Sequence, residues 1–330
     1  MSTSPPLSIE HLAFRLQQLP GVGAAKLRKI LASIRVRGES PEDFVALDEQ
    51  TLIANHGLSH AAVKQLISPL AADEDTWDKL AAQGVKLLVQ GWSGYPERLN
   101  TMLGDTAPPI LYVRGATRLL SAPGVGFCGS RKASDKGLSV AGECARLLSA
   151  AHINIVSGYA HGVDLAAHCA AMEAGGTTTL VLAEGILHFR IKEQVRQWIA
   201  GEDFSNLVVV SEFPPSLPWK AHNAMTRNRT ICGLSNALVV IESGLEGGTF
   251  EAAKTALALK EPIFCVEYAK PAESAVGNSW LLEHGGIRLR RDRSGQPNLA
   301  GIVEAVYHQP TAQARVGHQQ GDLLLHSSAH

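Results

Sequence analysis

What this sequence lacks bounds it first. Its 330 residues hold only five cysteines (Cys128, Cys144, Cys169, Cys232, Cys265), an odd number, widely spaced and never as CxxC. That spacing supports neither a disulfide framework nor a zinc ribbon, and it suits small buried thiols in a reducing cytoplasm. No run of about 18 apolar residues occurs, and the start, MSTSPPLSIEHLAF, has no basic stretch leading into an apolar one. A whole cytoplasmic protein is therefore expected, with no membrane partner and no targeting segment. A basic excess is also missing, since 30 Lys plus Arg face 31 Asp plus Glu. Any polyanion site must be local. GxxxxGK followed by Ser or Thr, GxSxG and HExxH are absent too, which removes P-loop ATPases and the usual serine hydrolases and zinc proteases.

What is present is ordinary for a globular chain: 45% hydrophobic and 18% charged residues, with 31 Gly and 16 Pro. The length suggests about two domains. Residues 1–72 read as short helices. Leu12, Leu16 and Leu19 recur at helical spacing over Ile9–Leu19, Pro20-Gly21-Val22-Gly23 breaks the run, and Ala24–Ile34 resumes it. A second turn, Asn55-His56-Gly57-Leu58-Ser59, leads into His60–Ile67. The pair resembles helix-hairpin-helix (SAM-like) units, whose turns can offer N–H groups to a phosphate. The near balance of seven basic and six acidic residues in 1–72 favours a plain helical bundle.

A second domain is expected over 73–308, with its core at about 118–290 and a flexible tail over 309–330. It starts with Trp77–Gln83 and the strand Val85–Val89, and Gly91–Pro109 forms a turn-rich connector. Apolar strands at Val125–Cys128, Ile153–Val156, Thr178–Ala183, Leu207–Val210, Ala237–Ile241 and Ile263–Val266 then alternate with helical stretches. The helices are Leu138–Ser149, Val163–Glu173, Phe189–Ala200, Arg227–Leu234 and Gly248–Leu259. Continuous apolar strands joined by crossover helices predict an α/β fold, a Rossmann-like parallel sheet covered on both faces.

Ligands in such sheets sit beyond the carboxyl ends of the strands. Three glycine-bearing loops stand there: Gly129-Ser130-Arg131-Lys132, Ser157-Gly158-Tyr159-Ala160-His161-Gly162, and Glu242-Ser243-Gly244-Leu245-Glu246-Gly247-Gly248-Thr249. Each enters a helix, whose N-terminus carries about half a positive charge and unsatisfied donors. Together they predict a phosphate cleft. Gly124-Val125-Gly126-Phe127-Cys128-Gly129 fits GxGxxG but overlaps its strand instead of following it, so no NAD site and no cofactor is expected. His161, Asp164 and His168 share a helical face, yet Asp164 suits a helix start and His168 a loop hydrogen bond, so no metal is expected. In His222–Ile231, Arg227 and Arg229 splay to different sides. One can reach solvent phosphate while the other pairs internally with Glu242 or Glu212.

In order, Gly129-Ser130-Arg131, Ser157–Asp164 with Ala167-His168 and Gly175-Gly176-Thr177, Ser211-Glu212-Phe213-Pro214-Pro215, Arg227-Asn228-Arg229 with Gly233-Leu234-Ser235, and Glu242 with Gly248 resemble the DNA-processing DprA (Smf) family from about Trp92 to Gly286. The resemblance implies a non-enzymatic, homodimeric protein that binds single-stranded DNA and loads a RecA-type recombinase during DNA uptake. It also implies a groove in which Gly129, Ser130 and Arg131 hold a phosphate, Asn228 and Arg229 line the same wall, and Gly247, Gly248 and Thr249 cap the far side. Lys132, Ser157, Gly158, Arg190 and Lys192 complete the candidate binding set.

The sequence departs from that family in several places. Phe189–Gln194 stands in place of a tyrosine-proline segment, Met225-Thr226 precedes the Arg-Asn-Arg run, Glu267-Tyr268 follows the last strand, and no sizeable carboxyl-terminal winged helix is expected. Glu184, Glu251 and Glu267 put carboxylates on the rim, which repel a DNA backbone unless each is paired. An alternative is open as well. Gly247–Glu251 resembles the loop of LOG-type phosphoribohydrolases, in which Glu251, with Glu184 or Glu242, would stabilise a ribosyl cation or orient a water.

Overall fold

The computed structural model describes residues 6–199 and 204–307. The expected 309–330 tail lies outside them. Six helices open the chain: α1 (Ile9–Gln18), α2 (Ala24–Arg37), α3 (Pro41–Val45), α4 (Glu49–His56), α5 (His60–Ile67) and α6 (Ala71–Ala82). Local chemistry sets their ends. The side chains of Ser8, Ser40, Asp48 and Ser59 each cap a helix start, and Gly38 and Gly57 close α2 and α4 in left-handed conformations.

The rest is one nine-stranded sheet. Its elements are β1 (Val85–Val89), α7 (Glu97–Leu103), β2 (Ile110–Gly115), β3 (Gly124–Cys128), α8 (Asp135–Ala150), β4 (Asn154–Ser157), α9 (Val163–Glu173), β5 (Thr178–Val181), α10 (Glu193–Arg196), β6 (Leu207–Ser211), α11 (Ala221–Leu234), β7 (Ala237–Val240), α12 (Gly248–Ala258), β8 (Ile263–Val266), α13 (Val276–Glu283), β9 (Ile287–Leu289) and α14 (Ala300–Tyr307). The strand order is β1-β2-β6-β5-β4-β3-β7-β8-β9. From β6 to β9 every pairing is parallel, which gives the Rossmann-like core. The sheet is nonetheless mixed, because β2 runs antiparallel to both β1 and β6.

Alternate residues serve opposite faces, as the two-residue period of a strand requires. Val125, Phe127 and Val239 pack with α8 and α9 residues such as Cys144, Leu148 and Ala167, whereas Val156, Leu238 and Val240 pack with Ile231 of α11 and Ala253 of α12. Leu12 and Leu16 of α1 share an apolar cluster with Leu87 of β1, Tyr112 of β2 and Leu180 of β5. The opening helices thus cover one end of the sheet.

Two expectations need correction. The helix read over Phe189–Ala200 is a single turn, Glu193–Arg196, preceded by extended chain. Backbone N–H of Lys192 donates to Tyr159 Oη at 2.8 Å and Lys192 Nζ donates to the Tyr159 carbonyl at 2.5 Å, so tertiary bonds hold this segment out of a helix. Conversely α11 begins at Ala221, well over a turn before Arg227.

Candidate nucleic-acid interface

The strand order reverses between β3 and β7, where an open α/β sheet ordinarily has its ligand crevice. Here that crevice is filled from within. Glu242 follows β7 and is 1% exposed. Its carboxylate accepts from the Ser134 N–H (3.0 Å), the Ser134 hydroxyl (2.5 Å) and the Ser274 hydroxyl (2.6 Å), which places it at the N-terminus of α8. An internal anion therefore occupies the helix end that the first glycine loop was expected to offer. The Ser130 N–H donates to the Glu242 carbonyl, and the Ser130 hydroxyl accepts from the Lys132 N–H. In this loop the groups left facing water are the side chains of Arg131 and Lys132, both exposed.

The second loop turns inward in part. Ser157 is fully buried and its hydroxyl donates to the Phe127 carbonyl, and Gly158 is buried as well. A Cβ on Gly158 would collide with the Arg227 guanidinium and the Asp164 carboxylate, so the glycine makes room for that opposed pair. Arg227 is 7% exposed and donates to the Val181 carbonyl at 2.6 Å. Burial pushes its pKa down, while Asp164 and Glu212 act against the shift. Of the two arginines, Arg227 is the internal one, and its charge partners are Asp164 and Glu212, not Glu242. His168 is fully buried, with Nδ1 2.6 Å from the Thr178 hydroxyl and Nε2 2.5 Å from the Gly158 carbonyl. His161, by contrast, is exposed.

Beside this scaffold opens a cleft of about 280 Å³. Arg131, Arg190 and Lys192 bring cations to it and the buried Arg227 reaches its lining, Tyr159 and Trp219 bring aromatic faces, Leu182 and Ala183 bring apolar surface, and Glu184 brings one carboxylate. Trp219 is 47% exposed, with the Arg131 guanidinium 5.4 Å from its ring centroid. Lys192 Nζ stands 4.4 Å from the Tyr159 ring centroid. Burial lowers the Lys192 pKa, and Asp164 and Glu184 oppose that shift. Arg190 is exposed and donates to the Leu187 and Phe189 carbonyls. Neither Trp219 nor Tyr159 is among the binding residues expected from sequence. Trp219 lies in no motif, and Tyr159 lies inside one read for its glycines.

The third loop is the open one. Gly247 and Gly248 are exposed, and α12 starts there with no side-chain cap. Thr249 is half-buried, and Asn228 donates to the Gly248 carbonyl at 2.9 Å, which ties α11 to this helix start. Arg229 is half-buried on α11. Its charge is felt by Glu212: burial pushes that carboxyl up, while the Thr230 hydroxyl, Arg229 and Arg227 draw it back. The rim carboxylates are mostly neutralised. Glu251 pairs with Lys254 at 2.7 Å, and Glu267 pairs with Arg288 and Arg290, which lower its pKa. The glutamates required by the phosphoribohydrolase alternative do not form one group, because Glu242 is caged by serines, Glu251 is engaged by Lys254 and Glu184 lines the cleft.

Fold and site together define a Rossmann-like protein with a cationic, aromatic-lined cleft. The family model for DNA recombination-mediator protein A matches residues 86–293, and the chain belongs to that family. A putative DNA processing protein DprA of Mycobacterium tuberculosis is 30% identical over 74% of this chain and 58% of its own length. Protein Smf of Escherichia coli is 30% identical over 62% of this chain and 54% of its own. The chain thus spans little more than half the length of these curated relatives. Among solved structures, DNA processing protein A from Streptococcus pneumoniae superposes with a TM-score of 0.68 at 23% identity, covering 84% of this chain and 92% of that one. The same protein from Helicobacter pylori, described for its unique single-stranded DNA binding mode, gives 0.53 at 24% identity over 62% and 90%. Both show the fold. The Mycobacterium tuberculosis relative is named for DNA processing, and no helix among the described residues is long and apolar enough to cross a membrane.

Proposed function

We propose that this chain binds single-stranded DNA without covalent chemistry, along the rim from Arg131 and the cleft to the open start of α12. The observation that carries this reading is the cleft, where the cationic side chains of Arg131, Arg190 and Lys192, with the buried Arg227 also in its lining, stand beside an exposed Trp219 and a half-buried Tyr159. Sequence-tolerant binding of a single strand needs those two ingredients, cations for the phosphates and aromatic faces for the bases. Arg229, with Gly247–Thr249, extends the same track. Gly129, Ser130, Ser157, Gly158 and Asn228 support it through packing and internal hydrogen bonds instead of touching the strand.

The helical segment 1–72 buttresses the sheet in this reading, and the Rossmann-like unit over 73–308 carries the strand. Delivery of that strand to a RecA-type recombinase during DNA uptake, assembly as a homodimer and a cytoplasmic location belong to the same proposal. The family's character as a recombination mediator supports the first of these.

The test is the charge of Arg131. Arg131→Glu is expected to weaken binding of a fluorescent oligo-dT by roughly ten- to a hundredfold at about 50 mM salt, and to flatten the dependence of log K on log salt by about 0.7 for the lost phosphate contact. Binding by Arg131→Glu that matches the wild type in affinity and slope would remove the cleft from the strand's path.

A further inference from the structure

One group in the cleft is out of keeping with a phosphate site. Glu184 places a carboxylate in a cleft lined by Arg131, Arg190, Lys192 and Arg227, where a DNA backbone would be repelled. Among the described residues that carboxylate accepts no hydrogen bond and has no ion-pair partner within 4 Å, in contrast to Glu251 and Glu267 on the same rim. It is not loosely held. The Glu184 carbonyl accepts from the Ser211 hydroxyl at 2.7 Å, and the next residue, Gly185, donates its N–H to the Leu217 carbonyl at 2.8 Å. A Cβ on Gly185 would collide with the carbonyl oxygens of Pro214 and Pro215. A pinned backbone presenting a half-exposed acceptor that no protein donor engages is the arrangement of a recognition group.

The surroundings say what it would accept from. The cleft measures about 280 Å³, near the lower end of small-molecule sites at roughly 300 Å³ and well short of a strand's length. Leu182, Ala183 and the Trp219 ring offer flat apolar contact, which suits a nucleobase. The two oxygens of a carboxylate accept best from two adjacent parallel donors. Guanine carries such a pair on its Watson–Crick edge, the ring N1–H and the exocyclic amino group. Thymine sets a single N–H between two carbonyl oxygens, which a carboxylate repels. Adenine and cytosine each set one amino donor beside an acceptor nitrogen.

We propose that this cleft holds one guanine base, its Watson–Crick donors on the Glu184 carboxylate and its face against Trp219. The proposal rests on the single-strand reading above and adds a base preference to it. Guanine can arrive within a strand or as a free nucleotide, and the chemistry at Glu184 is the same.

The experiment compares oligo-dT with the same strand carrying one central guanine, and with hypoxanthine at that position, which lacks the amino group. With wild-type protein, fluorescence anisotropy should show the guanine strand binding roughly five- to a hundredfold tighter than oligo-dT, the hypoxanthine strand falling between them. In Glu184→Gln, whose fold is checked by circular dichroism, the preference should vanish, and oligo-dT should bind more tightly once the carboxylate that repels its backbone is gone. Equal binding of all three strands by the wild type overturns the proposal and leaves the single-strand reading intact. If no strand binds at low salt, that reading fails, and equilibrium dialysis with dGMP and TMP decides the base site alone. Glu184-dependent retention of dGMP over TMP keeps the site as one for free nucleotide, and retention of neither removes it.

Discussion

At the scale of single residues, the rim sorts its charges by what each one can reach. Among the described residues Glu242 has no ion-pair partner, yet three donors from Ser134 and Ser274 satisfy it at 1% exposure, as a buried carboxylate requires. Glu251 and Glu267 find lysine and arginine at the surface. Arg131 has a different neighbour, the face of Trp219, and so its guanidinium stays available to an anion. Trp219 is held at the edge of the cleft with nearly half its surface in water, an unfavourable place for a large ring unless something covers it. Trp219→Ala is therefore expected to weaken oligo-dT binding by about 1–3 kcal/mol while leaving the salt slope unchanged, since stacking releases no counterions. Titrations at three salt concentrations check this. A loss of slope in place of affinity would mean that Trp219 only holds Arg131 in position.

At the scale of elements, what is legible in the sequence follows from periodicity, and what is not follows from tertiary contact. Strands such as Val125–Cys128 and Ala237–Val240 are buried on both faces, so they read as apolar runs, and the loops after them can be located from the order of residues alone. The strand Ile110–Gly115 opens with an apolar run of the same kind, Ile110–Val113, but that run follows directly on a connector full of turn residues, and nothing in it tells which strands it pairs with. Its place between β1 and β6 is set by antiparallel pairing with strands distant in sequence. The stretch after Phe189 has a helical composition, but bonds to Tyr159 override that preference. The candidate site is legible as loops and cations. It is not legible as a cleft, because Trp219 meets Arg131 only in the folded chain. The loop after β5 shows how much depends on such contacts. Gly185→Ala would push that turn away from Pro214 and Pro215, at a cost of about 1–3 kcal/mol in stability, and would shift the Glu184 carboxylate. Thermal unfolding should show the loss. An unchanged midpoint would mean that the turn is free to move and that Glu184 is not fixed.

At the scale of the whole molecule, the sheet joins two kinds of cover, the opening helices at one end and the α/β crossovers over the rest. His168 sits where β4, β5 and α9 meet, and its ring bridges the Gly158 carbonyl and the Thr178 hydroxyl. Burial lowers its pKa from 6.5 to about 4, with the Gly158 bond and Asp164 acting against the shift. Above pH 6.5 the imidazole is neutral in both folded and unfolded chains, and it contributes no pH dependence. Between about 6.5 and 4 the unfolded chain takes up a proton that the folded one refuses, so stability falls as the pH falls. Below about 4 both forms are charged and the loss levels off. Two and a half pKa units correspond to an effect of the order of 3 kcal/mol. His11 and His56 are also lowered by burial and slope the same way, so the contribution of His168 is read as a difference. Urea unfolding of wild type and His168→Asn at intervals from pH 7.5 to 4 should show the variant less stable at neutral pH but losing less on acidification, the two curves converging toward pH 4. Parallel curves across that range would mean that the buried imidazole keeps its ordinary affinity for a proton, and that this junction of the sheet is wetter than its packing implies.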